Sequence, residues 1–369
     1  SFPTRRSSDL RLVALLTSTT PATVADAIQV AVPAALVRIV EGNPGFGPVA
    51  NQVMAVVDGH DGFLLFLHDD VALQPDVVSQ LVAEAFRSNA AMVGPKLVEW
   101  DTPSVLQHVG LDADRTGRLV DVVDPGERDQ QQHDAVRDTF ALPSACMLVR
   151  NDIFREVGGF AAQIPFLGEE RDVCWRLHLL GARVMVNPAA VVRHRGAFAT
   201  RAMLIGADAR AERNRVRTVV TCAPLSQLPL VVVRLLVQSI VDTVLGLLNG
   251  EQQRGLASLR AVFALVIDAP MIAARRRALR TLRRVPGSEV SSLQLRASAR
   301  LAVYARHRRA LREQHTSEIP AIGGSVAPPS RVVTLVGFAA VLLVLIGSRG
   351  LIVNGVGNIG QFVPLAGEQ

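Results

Sequence analysis

Three groups of residues have types and spacings suited to chemistry. The first is His68-Asp69-Asp70, two adjacent carboxylates that follow a short apolar run from Phe63 to Leu67. Adjacent carboxylates repel unless a positive charge sits with them, and a hard divalent cation is the obvious candidate. The same residues also suit a helix cap, with Asp70 opening a turn before Gln74-Pro75-Asp76. On these residues alone both readings stand. The second group is Gly168-Glu169-Glu170-Arg171-Asp172-Val173-Cys174-Trp175-Arg176, with three carboxylates at the start of a helix. Anions favour helix N-termini, which accounts for one of them, most simply Asp172, and not for three. The third is Arg193-His194-Arg195 at a strand end, where a histidine between two arginines suits contact with an anion. A metal–diphosphate site is the chemistry these types suggest.

Such groups need strands and helices to position them. The continuous apolar run before His68 reads as a strand buried on both faces, as in the middle of a parallel sheet. Ligands of open α/β sheets bind beyond the carboxyl ends of the strands, so residues 68–70 stand at the rim where a ligand belongs. The pattern predicts further strands over 12–16, 36–40, 91–97, 141–150, 183–186 and 189–192. It predicts helices over 22–32, 48–57 and 75–90, a short one capped by Asn151-Asp152, and one ending at Leu180-Gly181. Between the second strand and the next helix, Glu41-Gly42-Asn43-Pro44-Gly45-Phe46-Gly47 lets the backbone approach a ligand closely. Residues 106–123 suggest a hairpin turning at Asp114-Arg115-Thr116-Gly117. Residues 124–138, polar and acidic, suggest an exposed loop.

Composition narrows the function classes. The chain has 369 residues, a net charge of +6, 49% hydrophobic residues and 4% aromatics. Its mean hydropathy of +0.28 is high for a soluble protein. Basic residues interleaved with aromatics, as a single-strand nucleic-acid binder needs, are missing, so nucleic acid is excluded as a partner. Of the 39 basic residues one is a lysine, Lys96, a bias that fits a GC-rich genome. Cys146, Cys174 and Cys222 form no metal-type pair and fit a reducing compartment.

The apolar excess lies after residue 225. Residues 228–248 are long enough to span a bilayer, yet Arg234, Gln238 and Asp242 recur at i, i+4 and i+8 and argue for an interfacial or re-entrant helix. Residues 256–273 repeat the style with Arg260 and Asp268. The run 275–284 is strongly basic and suits anionic headgroups. Another basic helix is expected over 293–314. An uncharged stretch over 332–346 reads as a transmembrane helix, with the arginines before it favouring a cytoplasmic N-terminal side.

Taken together the landmarks resemble a family 2 glycosyltransferase with the GT-A fold over about residues 11–200. They are Asn43-Pro44-Gly45-Phe46-Gly47 with Asn51, Leu67-His68-Asp69-Asp70-Val71, Ser144–Arg150, Val157-Gly158-Gly159-Phe160, Gly168–Arg176 and Val192-Arg193-His194. The resemblance implies a mixed α/β sheet flanked by helices. It places Asp70 on the metal and Asp69 on the ribose or donor sugar. His194 would complete the metal shell, with Mg²⁺ or Mn²⁺ as the ion. Glu170 falls on the catalytic base, one methylene longer than the family's aspartate, and Glu169 stays an alternative. Asn43, Gly45, Asn51, Arg193 and Arg195 fall on the donor side, and Asp172 and Trp175 on the acceptor side.

The expected activity is single-step, inverting transfer of a sugar from a nucleotide-diphosphate donor to a cell-envelope glycan or lipid-linked acceptor. The expected place is the plasma membrane, with the catalytic domain on its cytoplasmic face and membrane lipids as partners. Large actinobacterial membrane glycosyltransferases of the family offer the parallel. A sugar-nucleotidyltransferase would need an early triphosphate loop, which is not seen. A membrane scaffold with a decayed catalytic domain would have no reason to keep Asp69, Asp70, Glu170 and His194. The expected map is 1–10 encoded by a sequencing adapter, 11–200 catalytic and lacking the family's first nucleotide-clasping strand, and 201–316 membrane-associated helices. It continues with 317–330 as linker, 331–349 transmembrane, and 350–369 as a Gly-rich tail, truncated like the start.

Overall fold

The structure is a computed structural model that describes residues 10–57, 59–196, 206–248 and 252–295. The chain divides into two units, 1–310 and 311–369, and the described residues all belong to the first. The expected linker, transmembrane helix and tail, and nearly all of the expected 293–314 helix and 1–10 leader, lie outside the described residues.

The strands are β1 (Val13–Thr17), β2 (Leu36–Val40), β3 (Phe63–Leu67), β4 (Val71–Leu73), β5 (Met92–Glu99), β6 (Leu106–His108), β7 (Leu111–Ala113), β8 (Leu119–Asp121), β9 (Arg137–Asp138), β10 (Cys146–Arg150) and β11 (Val184–His194). The helices are α1 (Ala22–Ala31), α2 (Phe46–Ala50), α3 (Val53–Val56), α4 (Val77–Ser88), α5 (Asn151–Glu156), α6 (Glu169–Leu180), α7 (Ala207–Cys222), α8 (Leu228–Leu248), α9 (Gln252–Ala278) and α10 (Gly287–Ser292). The main sheet is mixed, with spatial order β3-β10-β5-β11-β4, β6 on β5 and β9 on β11. β5 and β11 run parallel; β10 is antiparallel to both β3 and β5. β1 and β2 form a separate parallel pair, and β7 and β8 the expected hairpin.

Alternation along the central strands builds a core on each face. Met147 and Val149 face a layer that includes Phe154, Val173 and Leu177. Cys146 and Leu148 face Val77, Leu81 and Ala85 of α4. At roughly 2 kcal/mol for each fully buried Val or Leu, these layers hold the sheet while its polar rim adds little. Burial pushes the thiols of Cys146, Cys174 and Cys222 up to about 12, which leaves them inert packing groups.

Several expectations are corrected. β3 lies at the edge of the sheet and pairs antiparallel with β10, so it is not a central parallel strand. Its run is apolar on both faces because Leu64 and Phe66 join one core while Phe63 and Leu65 pack on the other. The two strands expected over 183–186 and 189–192 are one, Val184–His194, with an irregularity between Asn187 and Val191. Residues 124–138 are not a free loop, since Asp129 and Asp134 close on the buried Lys96 at 2.8 and 2.5 Å. Past the expected 11–200 span, Val216, Val219 and Cys222 of α7 share the core of the sheet.

Candidate active site

The first chemical group sits where β3 ends. The ladder continues one residue further, His68 N donating to Ala145 O at 3.0 Å. The chain then enters β4, a short strand absent from the expected map. β4 pairs antiparallel with the end of β11, His194 opposite Val71, and Arg195 N donates to Asp70 O at 3.0 Å. Strand pairing therefore sets Asp70 against His194. The helix-cap reading falls, because α4 starts only at Val77 and Asp70 is turned inward, 7% exposed.

His194 Nε2 is 3.6 Å from Asp70 Oδ1, and His68 Nδ1 is 3.9 Å from the same oxygen. One ligand atom from each of His68, Asp70 and His194 falls within 4.8 Å of the others. The imidazole of His68 belongs to this cluster, a role the sequence reading did not give it. The turn between β3 and β4 brings His68 and Asp70 together and leaves Asp69 exposed. Burial pushes the pKa of His194 down against the opposing pull of Asp70, which favours the neutral, ligating ring. The donor set fits a divalent metal. Two imidazoles beside one carboxylate suit Mn²⁺ better than Mg²⁺, which prefers oxygen and water.

The glycine-rich loop reaches this cluster through Phe46, whose ring meets His68 edge-on at 4.9 Å between centroids. Gly45 has φ +108, and a Cβ there would lie 2.4 Å from Pro165 O. The loop is thus wedged between His68 and the segment leading into α6. Asn51 is a correction to the expected donor-side set. Its amide is committed to Phe160, Nδ2 donating to Phe160 O and Oδ1 accepting from Phe160 N, both at 2.8 Å. It locks the loop helix to the Gly158-Gly159 turn. Asn43 lies exposed in the loop.

α6 opens with Glu169 and Glu170 after Gly168 at φ +115. Glu169 is buried, and burial together with the charge of Glu170 pushes its pKa up to about 8. Glu170 is half-buried. Asp172 and Trp175 are further corrections. Asp172 has no exposed side-chain surface and is closed off by Arg176 at 2.7 Å and Arg275 at 2.8 Å. Trp175 is buried edge-on against Phe140. Neither faces an acceptor; both hold α6 in place.

Arg193 and Arg195 flank His194, and alternation turns them away from the face that carries it. Their guanidinium carbons lie 5.3 and 4.6 Å from the centroid of the Trp100 ring. Trp100 did not emerge from the sequence. The two exposed cations are held together on the face opposite His194.

Known proteins give this arrangement its context. Residues 7–221 match the family model described as glycosyltransferase like family 2. Pre-mycofactocin glycosyltransferase of Mycobacterium tuberculosis is 30% identical over 153 residues, 40% of this chain and 30% of that protein. O-antigen biosynthesis protein RfbC of Myxococcus xanthus is 27% identical over 175 residues, 45% of this chain and 13% of that protein. The chain thus spans less than a third of the length of these curated relatives. Among solved structures, GalNAc-T7 with UDP, GalNAc and Mn²⁺ superimposes with a TM-score of 0.42 at 15% identity, covering 57% of this chain and 41% of that one. With more than half of its residues inside the family model, the chain belongs to glycosyltransferase-like family 2.

Proposed function

We propose that this protein is a metal-dependent, inverting glycosyltransferase that moves a sugar from a nucleotide-diphosphate donor onto a cell-envelope glycan or lipid-linked acceptor. The observation that carries the reading is the convergence of His68, Asp70 and His194 at the end of β3 within a family 2 domain. These three side chains would hold a divalent ion, Mn²⁺ by the donor chemistry, and the ion would offset charge that develops on the departing diphosphate. Asp69, exposed beside the cluster, contacts the ribose or donor sugar, with Asn43 and the Gly45 loop along the same side. Arg193 and Arg195, held over Trp100, add positive field at the rim. Glu170 takes the proton of the acceptor hydroxyl as that oxygen attacks the anomeric carbon.

Mn²⁺ titration with a fluorescent nucleotide-sugar analogue tests the reading. Asp70→Ala is expected to weaken Mn²⁺ binding by at least about tenfold and to abolish Mn²⁺-dependent donor binding. An unchanged Mn²⁺ titration in that variant removes Asp70 from the metal site.

The proposal puts the site of action at a membrane, supported by α8 and α9, both long and apolar enough to cross one. Both carry a carboxylate among their inward residues and a row of apolar side chains outward. Asp242 faces inward to Arg118 and, at 3.1 Å, Ser258. Asp268 binds Arg213 and Arg217 of α7 at 2.6 to 3.0 Å. Outward stand Val233, Val237 and Ile240 on α8, and Phe263, Val266 (80% exposed) and Ile267 on α9. A helix tied at its middle to a folded catalytic unit cannot also run across a bilayer. In this proposal the hairpin lies in the membrane interface with its outer face among the acyl chains and Arg277 and Arg280 toward anionic headgroups. The same proposal puts the catalytic unit on one face of the membrane, the cytoplasmic face of the plasma membrane. Vesicle flotation of residues 10–310 provides the check. Val266→Asp/Ile267→Asp is expected to cut binding to vesicles containing anionic lipid at least tenfold without changing the melting temperature. Undiminished flotation contradicts the docking.

A further inference from the structure

Gln107 touches one residue of the metal cluster in a way that fixes its chemistry. Its amide Nε2 donates to the backbone carbonyl of His194 at 3.0 Å, and its Oε1 lies 2.9 Å from His194 Nδ1. These contacts are mutually determining. A carbonyl only accepts, so the NH₂ end of the amide must face His194 O. The amide oxygen is then the end that faces the ring, and it too only accepts. His194 Nδ1 must therefore carry the proton, and in the neutral ring the lone pair is left on Nε2. That is the nitrogen 3.6 Å from Asp70 Oδ1.

The backbone is shaped to deliver this side chain. Leu97 pairs with His108 and Val98 with Leu106, which leaves Gln107 as an extra residue in β6. An extra residue in one strand re-aims its side chain and breaks the regular alternation. β5 carries this irregular strand on one edge and β11 on the other, with Glu99 opposite His194, so the sheet register itself brings residue 107 to the end of β11.

We propose that Gln107 is a positioning residue that fixes His194 as the Nδ1–H tautomer and so presents its Nε2 lone pair to a divalent cation shared with Asp70 and His68. Without that amide the ring can rotate or exchange its proton to Nε2, and a protonated Nε2 cannot ligate. Partners of this kind typically change metal affinity by about ten- to a hundredfold. The Mn²⁺ part of the inference rests on the proposed metal site; the tautomer part does not.

The test uses the full chain in detergent with selectively ¹⁵N-labelled histidine, eight residues in all, and His194 assigned by its loss in His194→Gln. In the metal-free protein, ring ¹⁵N–¹H correlations should show His194 protonated at Nδ1 and bare at Nε2. Gln107→Met, matched in length and without hydrogen bonds, should give mixed tautomers and an Mn²⁺ dissociation constant raised about ten- to a hundredfold. Gln107→Glu keeps an acceptor at Nδ1 and should keep the Nδ1–H tautomer. It separates loss of orientation from loss of fold, because the remaining histidine signals serve as the folding control in both variants. A wild-type His194 protonated at Nε2 overturns the inference, as does Gln107→Met with native tautomer and native Mn²⁺ affinity. A wild type that binds no Mn²⁺, yet shows the Nδ1–H tautomer and loses it in Gln107→Met, sinks the metal reading and leaves the positioning role standing.

Discussion

Glu170→Gln is expected to lower turnover by about 10²–10⁴-fold while donor binding stays within about twofold of the wild type. The two neighbouring glutamates at the start of α6 are not equivalent. Glu169 is buried, and burial plus the charge of Glu170 lifts its pKa to about 8, so near pH 7 it holds its proton and cannot accept another. Glu170 is the more open of the two and contributes the charge that raises its neighbour. Because Glu169 keeps its proton near pH 7, the more open Glu170 is the proposed base. Glu169→Gln, which replaces a protonated acid by a neutral amide, should cost less than about tenfold near pH 7. The coupling adds a second signature. Removing the charge at 170 lowers the pKa of Glu169, so residual turnover in Glu170→Gln should rise with pH through a carboxylate ionisation and vanish in the double variant. Steady-state rates from pH 6 to 9, with donor affinity measured separately, decide the matter. Near-normal rates in Glu170→Gln, or the large loss falling on Glu169→Gln, reverse the assignment.

The meeting of Asp70 and His194 was legible because each sits at the end of a strong periodic element. What strand ends and helix starts share is a rim, and the rim is where α/β ligands go. The partner of Asp70 was legible; the means of bringing it there was not. That depends on β4, whose Val71–Leu73 is too short to stand out against the helix that follows. The same holds for Gln107, whose aim comes from one unpaired residue in a three-residue strand. Position also misled. Asn51 and Asp172 lie in motifs that carry chemistry, yet the structure commits both to holding elements together, Asn51 on the backbone of Phe160 and Asp172 on two arginines. A sequence pattern gives the type and place of a side chain. Whether it faces ligand or core depends on contacts such as Arg275 to Asp172, made 103 residues apart.

Asp172→Ala is expected to destabilise the first unit by about 3–5 kcal/mol, a large share of the roughly 5–15 kcal/mol that holds a folded domain. The carboxylate accepts from Arg176 Nε at 2.8 Å within α6 and from Arg275 Nη2 at 2.8 Å across to α9. Burial alone would raise its pKa, but the two guanidiniums outweigh burial and hold it below the ordinary carboxylate value. Alanine leaves Arg176 and Arg275 in a closed space with like charges facing each other and no counter-ion, which is the costly half of a buried ion pair. Because the folded pKa is depressed, the contribution of Asp172 is complete above the unfolded value of 3.8 and is lost as pH falls through the folded one. The stability gap between wild type and Asp172→Ala should therefore be full at pH 7 and shrink below about pH 4. Replacing all three charged groups, as Asp172→Leu/Arg176→Leu/Arg275→Met, should recover most of the loss, since an apolar triad of similar volume removes the unpaired charge. It should not recover transferase activity fully, because Arg275 ties the helix bearing Glu170 to the α8–α9 hairpin. Denaturant unfolding of residues 10–310 reads the first two effects. A loss below about 1 kcal/mol in Asp172→Ala at pH 7 means that this buried carboxylate is not what holds α6 against α9.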